Sequence, residues 1–305
     1  MEIIRFENNQ TYALGALVVA LGEFDGLHVA HQALIQKTID LSKSIGAKSA
    51  VLTFDPHPDF ILRRRSYLGY LTPLNVKIQI LEELGVDYLI IVPFTLELSK
   101  QSPTEFENQI LKQFEIVHLI VGFDFRYGFK GAGNAASLAK NYSITIIERI
   151  NFENQKIGSN AVRDLLLEGR MEEATKMLGR YYNITGVVEK GNQVGRRIGF
   201  RTANITLSEE YQLLKKGVYG VYVTLNGKKY LGVCNIGNNP TLNYIKRPRL
   251  EVHILDFNSM IYDQVLSVDF VVYLREEIHF DTVEALITQI HQDIENTIQL
   301  LGEQT

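Results

Sequence analysis

The sequence carries a single cysteine, Cys234, among 305 residues. One thiol excludes an internal disulfide framework and any metal cluster built on cysteine ligands. No uncharged apolar run approaches the roughly 20 residues that cross a bilayer, so neither a membrane span nor a membrane partner is expected. Neither sign of charge predominates: 31 Lys+Arg against 35 Asp+Glu leave a formal net charge of −4. That balance gives no basis for a nucleic-acid-binding surface. The first residues, Met1-Glu2-Ile3-Ile4-Arg5, lack the apolar core of a secretory signal, and internal repeats and low-complexity tracts are absent. What remains is ordinary globular composition, 46% hydrophobic and 22% charged, with length for one large domain or two. A cytoplasmic protein is the expectation.

The first half alternates strand and helix signals. Apolar, β-branched runs at 17–21, 50–54, 88–92, 117–121 and 143–147 are separated by helical patterns such as 74–84 and 104–114. Such alternation predicts βαβ units and a mainly parallel sheet covered on both faces. Ligands bind beyond the carboxyl ends of strands in these sheets, and Gly22, Asp55, Pro93 and Gly122 fall there. A helix over 160–178 ends at Gly179, a C-cap signal. Short strands follow at 184–189, 218–225, 229–236, 249–255 and 265–274, with Asn226-Gly227 as a type I′ hairpin turn. This half reads as an antiparallel barrel or sandwich closed by an amphipathic helix over about 281–300. The border falls near Arg180–Asn183, giving domains 1–180 and 183–305.

The most informative segment is Gly22-Glu23-Phe24-Asp25-Gly26-Leu27-His28-Val29-Ala30-His31. It lies between the run 17–21 and the helical Gln32–Lys37, where free backbone N–H groups and a helix dipole favour phosphate. Two histidines there suit an enzyme acting on a nucleoside triphosphate. Thr53–Pro58, Gly122–Gly128 and Ile157–Arg163 supply further loops. Among them, Asp124 and Arg126 follow a strand, and Ser159 and Arg163 open a helix. Plainer roles stay open at this point: a structural His pair, an Asx-turn at Asp55, a surface ion pair at Arg126, a helix N-cap at Ser159.

These four segments resemble the adenylyltransferase module of the bacterial bifunctional riboflavin kinase/FMN adenylyltransferase family, also called FAD synthetase. The resemblance implies a Rossmann-like nucleotidyltransferase domain with a parallel sheet that transfers AMP from ATP to FMN. It implies that His28 and His31 hold the triphosphate, with Gly22, Phe24, Asp25 and Gly26 in the turn around it. Ser159 and Arg163 would contact the departing phosphates, and Asp124 and Arg126 would lie on the flavin side. The chain departs from the family pattern at Ala30, where Gly is usual, and at Gly158-Ser159-Asn160, where Ser-Ser-Thr is usual.

The second half resembles the riboflavin kinase module, an antiparallel barrel with a terminal helix. Gly191, Gly195 and Gly199 match its glycine-rich phosphate loop. Thr202-Ala203-Asn204 matches most of its Pro-Thr-Ala-Asn motif, with Arg201 in place of proline. The resemblance makes Thr202 and Asn204 ligands of Mg²⁺. It makes Glu251 the base for the ribityl hydroxyl and Arg275 a flavin contact in a flap. Glu251 as a solvent-facing strand residue and Arg275 as a surface ion pair are the plainer alternatives. Riboflavin, FMN and ATP are the expected small-molecule partners, with ATP as co-substrate. Two other readings stand beside this one: a kinase with a degenerate adenylyltransferase module, and a non-catalytic flavin-binding regulator.

Overall fold

A computed structural model describes the chain except residues 9, 64–68, 153–154, 191–198, 238–248 and 303–305 and the side chain of Arg249. The chain forms two compact units, Met1–Ser159 and Asn160–Thr305.

In the first unit, β1 (Glu2–Arg5), β2 (Leu17–Leu21), β3 (Lys48–Asp55), β4 (Tyr88–Pro93), β5 (Ile116–Gly122) and β8 (Ile144–Ile147) form one sheet in the order β1-β4-β3-β2-β5-β8. Every pairing is parallel. Two short hairpins, β6 (Arg126–Tyr127) with β7 (Gly133–Asn134) and β9 (Asn151–Phe152) with β10 (Gln155–Lys156), are antiparallel. β2 is buried at every position because successive side chains enter different cores. Leu17, Val19 and Leu21 pack with Phe106 and Phe114, whereas Val18 and Ala20 pack with Ile35 and Ile39. Ile35 and Ile39 belong to helix α1 (Val29–Ile45), which ends at Gly46 in the left-handed region (φ 69°). Helices α2 (Pro58–Ile61), α3 (Leu74–Leu84), α4 (Pro103–Gln109) and α5 (Ala135–Leu138) complete the unit. The helix expected at 104–114 stops early, as α4 followed by a single 3₁₀ turn over Leu111–Gln113.

The second unit is a closed antiparallel barrel in the order β11-β12-β15-β14-β13-β16. Its strands are β11 (Tyr182–Glu189), β12 (Ala203–Leu207), β13 (Gly217–Leu225), β14 (Lys228–Gly237), β15 (Arg249–Ile254) and β16 (Val265–Arg275). Asn226 and Gly227 both take positive φ, 51° and 78°, as the expected hairpin turn requires. β12 was not foreseen, because its residues read first as a motif. The chain's last helix, α8 (Val283–Leu301), packs on β13 and β14.

The single helix expected over 160–178 is two, α6 (Ser159–Glu168) and α7 (Met171–Leu178). Gly169, at φ +77°, breaks it, and a Cβ there would stand 3.1 Å from the Tyr273 ring. α7 buries Met171, Ala174, Met177 and Leu178 and packs on β11 and β16. All of α7, and α6 from Asn160 on, thus group with the barrel in one compact unit.

Candidate active sites

In the first unit, α1 begins at Val29, earlier than the sequence pattern suggests, and His28 is its N-cap. The Nδ1 atom of His28 accepts the backbone N–H of His31 at 3.3 Å, which places the proton of the neutral ring on Nε2. The two imidazoles stack with centroids 3.7 Å apart at 15°. The preceding turn is coiled through Phe24, Gly26 and Leu27, all at positive φ (51°, 85° and 38°). Bulky residues seldom adopt that region. Here Phe24 and Leu27 are held by complete burial, and Phe24 sets its edge against His31 at 5.3 Å.

The Asp25 carboxylate is a structural anchor. It is 2% exposed, and its Oδ1 accepts the N–H groups of Leu71 and Thr72 at 3.0 and 3.1 Å. His57 Nε2 lies 3.9 Å from Asp25 Oδ2 and 3.6 Å from Glu23 Oε2. The Ser159 hydroxyl donates to the Asp25 carbonyl at 2.8 Å, so the 157–159 segment is tied to the histidine turn. Beneath it, the buried Lys77 ammonium donates to the Glu23 carbonyl at 2.8 Å and to Thr53 Oγ1 at 3.2 Å. Burial lowers the Lys77 pKa, opposed by the charges of Asp25, Asp55 and Glu23.

These segments enclose a cavity of about 400 Å³ lined by Gly22, Phe24, Asp25, His28, Ala30, His31, Asp124, Arg126, Gly158 and Ser159. Gly26 stands behind this wall, its α-carbon facing Leu71. Asp124 is paired with Lys156, which lines the same cavity and lies 4.9 Å over the Phe123 ring. An adjoining cavity of about 530 Å³ shares Leu21, Glu23, Phe54, Phe125 and Arg126. Its walls are aromatic, with Phe54, Phe94, Phe106, Phe125, Tyr127 and Phe129. The Tyr127 hydroxyl donates to the buried Glu107 carboxylate at 2.5 Å, and burial with that bond pushes its pKa up to about 12. The sequence reading missed Lys77, Lys156 and this aromatic cavity. Lys77 had one available signal: it stands four residues before Leu81 on the buried side of α3.

Arg163 falls in the second unit, buried, where its guanidinium donates to Gln212 Oε1. In the barrel, Asn204 and Glu251 are directly opposed across β12 and β15, and Glu251 and Asn235 across β15 and β14. Val218 opposes Asn235 and, on its other side, Arg275. Directly opposed residues share a sheet face, so one row crosses five strands. A cavity of about 280 Å³ is lined by Thr202, Glu251, Asn235 and His253 together with apolar Val218, Val233, Ile278, Phe280, Leu286 and Ile290. Thr202 and Glu251 thus line one cavity.

Arg275 also lines this cavity, but its guanidinium is held by Asp293 of α8 in a bidentate pair, Nε to Oδ1 at 2.9 Å and Nη2 to Oδ2 at 2.7 Å. That partner is buried, so the pair is not the surface ion pair that was the plainer alternative. Arg201 donates to the Asn258 carbonyl, and its own carbonyl accepts from His253 Nδ1 at 2.7 Å. Gly199 takes φ +92°. Gly191, Gly195 and Asn239-Pro240-Thr241 lie outside the described residues. Cys234 is buried on the opposite face of β14 from Asn235, and burial pushes its thiol up.

Among the described residues no helix is long and apolar enough to cross a membrane. The FAD synthetase family model matches residues 11–161, and the riboflavin kinase family model matches residues 178–301. A bifunctional riboflavin kinase/FMN adenylyltransferase from Listeria monocytogenes is 40% identical over 285 residues, covering 92% of this chain and 91% of its own. The protein of the same name from Bacillus subtilis is 36% identical over 290 residues, covering 92% of each. A crystal structure described as a macrolide-efflux protein from Streptococcus pneumoniae matches with a TM-score of 0.90 at 28% identity, over 97% of this chain and 99% of that one. With both family models placed in succession along it and relatives matched over nearly their whole length, the chain belongs to the bifunctional riboflavin kinase/FMN adenylyltransferase family and serves flavin cofactor biosynthesis.

Proposed function

We propose that the two transfers are divided between the units, with functional modules 1–180 and 183–305. AMP transfer from ATP to FMN is assigned to the parallel-sheet module, and phosphorylation of riboflavin by ATP to the barrel. The observation that carries the kinase assignment is the shared cavity of Thr202 and Glu251.

In the barrel, Glu251 accepts the proton of the ribityl 5′-hydroxyl as that oxygen bonds to the γ-phosphorus of ATP. The bond between the γ-phosphorus and the bridging oxygen breaks, and ADP leaves. Thr202 and Asn204 are the ligands assigned to Mg²⁺. A hydroxyl, an amide oxygen and a neighbouring carboxylate are hard donors that would suit such an ion. When bound, Mg²⁺ neutralises phosphate charge. Gly191, Gly195 and Gly199 are assigned to the phosphate loop. The apolar wall of Val218, Ile278, Phe280 and Leu286 suits the flavin ring, with Arg275 at its edge.

In the sheet module, an FMN phosphate oxygen attacks the α-phosphorus of ATP and pyrophosphate departs, with no covalent enzyme intermediate. Catalysis there is positioning and charge stabilisation. Nε2–H of His28 and the stacked His31 are assigned to the triphosphate, inside the turn of Gly22, Phe24, Asp25 and Gly26. Ser159 and Lys156 are assigned to the departing pyrophosphate. The aromatic cavity suits the isoalloxazine of FMN, with Asp124 and Arg126 where the two cavities meet. We place the enzyme in the cytoplasm, with its substrates.

The test is chromatography of flavins after incubation with riboflavin, excess ATP and Mg²⁺. FMN followed by FAD is expected, and absence of any flavin product overturns the assignment. One observation favours a second reading, in which AMP transfer is slow. At Gly158 a Cβ would meet only Lys156 Cε, at 3.8 Å, so the cavity wall has room for a hydroxyl that this chain lacks. Under that reading Gly158→Ser speeds FAD formation several-fold, and an unchanged rate removes it.

A further inference from the structure

We propose that Asn235 binds the polyol chain of riboflavin, its side-chain oxygen accepting a hydrogen bond from the hydroxyl adjoining the one that Glu251 activates. The assignment rests on the kinase reading of the barrel.

The Oδ1 atom of Asn235 is buried and has no hydrogen-bond partner. Buried side-chain acceptors are nearly always satisfied, and an exception points to a partner that a ligand supplies. The register locates that partner. Asn235 is directly opposed to Glu251 on β15, with Asn204 on the far side of Glu251 and Val218 on the near side. Neighbouring strands lie about 4.8 Å apart, so Asn235 stands one strand from the proposed base and two from Asn204. Asn235 also lines the same cavity as Thr202 and Glu251, and Val218, next to it in the row, begins the apolar wall with Ile278, Phe280 and Leu286.

That position lies between the phosphate end of the cavity and its apolar end. A substrate with an apolar ring joined through a polyol to the reacting hydroxyl must pass hydroxyl groups across it. An amide oxygen only accepts, and a hydroxyl supplies the donor it needs. A cation is the weaker fit, because the other hard donors, Thr202 and Asn204, stand across Glu251. A site that hydrogen-bonds a substrate hydroxyl rejects an analogue lacking it, since the buried acceptor is then left unpaired.

The experiment compares riboflavin with 4′-deoxyriboflavin as kinase substrates for the full chain and for Asn235→Ala and Asn235→Asp. The urea unfolding midpoint of each preparation, followed by far-UV circular dichroism, serves as the folding control. Wild type is expected to prefer riboflavin in kcat/KM by about tenfold or more, the range of a single hydrogen bond. Asn235→Ala is expected to lose that preference by slowing on riboflavin alone. Asn235→Asp, which keeps an acceptor oxygen, is expected to retain it at lower kcat. An equal loss on both substrates in Asn235→Ala overturns the assignment. So does a raised Mg²⁺ requirement with an unchanged riboflavin KM. If wild type phosphorylates neither flavin, the kinase reading falls first and takes this assignment with it.

Discussion

The ammonium of Lys77 donates to the main-chain carbonyl of Glu23 at 2.8 Å, from a position 5% exposed. With its second bond, to Thr53 Oγ1 at 3.2 Å, it joins the turn after β2 to the last turn-ward residues of β3. The His28–His31 turn rests on that junction. Replacing Lys77 by Met keeps most of the buried volume and removes the charge. FMN adenylylation is expected to fall at least about tenfold, the effect of a modest misplacement of positioned groups. Riboflavin phosphorylation is expected to stay within about twofold. Steady-state kinetics of both reactions on one preparation check this, and an equal loss in both contradicts it.

The strands that frame the first site were legible because each is a short apolar run between turn residues. Leu17–Leu21 and Tyr88–Pro93 lie where periodicity puts them. The histidine turn was legible for the same reason, as the glycine-flanked link between such a run and a helix. Lys77 was not, since a lysine in an amphipathic helix reads as a solvated residue until its neighbours are known. The aromatic cavity was illegible because Phe54, Phe94, Phe106 and Phe125 come from four segments that only the sheet brings together. Glu251 was found through a family resemblance. Asn235 was passed over, because the role proposed for it rests on a cross-strand register that alternation along one strand does not reveal.

The Arg275–Asp293 pair ties β16 to α8 along the cavity lined by Thr202 and Glu251, and the two side chains are 18% and 3% exposed. Removing one partner leaves the other charge buried and uncompensated. Asp293→Ala is expected to destabilise the barrel by about 3–5 kcal/mol and to raise the KM for riboflavin. Chemical denaturation and kinase kinetics measure the two effects, and unchanged stability removes the structural role given to the pair.

Burial lowers the His118 pKa below its ordinary 6.5, and its Nε2 is bonded to Thr145 Oγ1 at 2.8 Å between β5 and β8. The folded ring is therefore neutral where the unfolded ring takes a proton. Stability from this group is present above about pH 6.5 and is lost as the pH falls through the folded value. His118→Gln is expected to lessen the drop in urea midpoint between about pH 7.5 and about pH 5.5. An identical drop in wild type and variant contradicts the assignment.

The Tyr142 hydroxyl is buried without a hydrogen-bond partner, and burial together with the Glu107 charge pushes its pKa up to about 12. A buried, unmet hydroxyl is destabilising, and its removal relieves the desolvation. Tyr142→Phe is expected to raise unfolding stability by about 1 kcal/mol, read from the denaturation midpoint. A loss of similar size would mean that the hydroxyl is bonded.

Separate assays of the two half-reactions in Glu251→Gln and His31→Ala bear most directly on the proposal that the two transfers are divided between the units. Glu251→Gln is expected to lose riboflavin phosphorylation by about 10²–10⁴-fold while still converting supplied FMN to FAD at the wild-type rate. His31→Ala is expected to accumulate FMN from riboflavin, with FAD formation down about 10²-fold or more. Riboflavin phosphorylation that survives Glu251→Gln, or FAD formation that survives His31→Ala, contradicts that division.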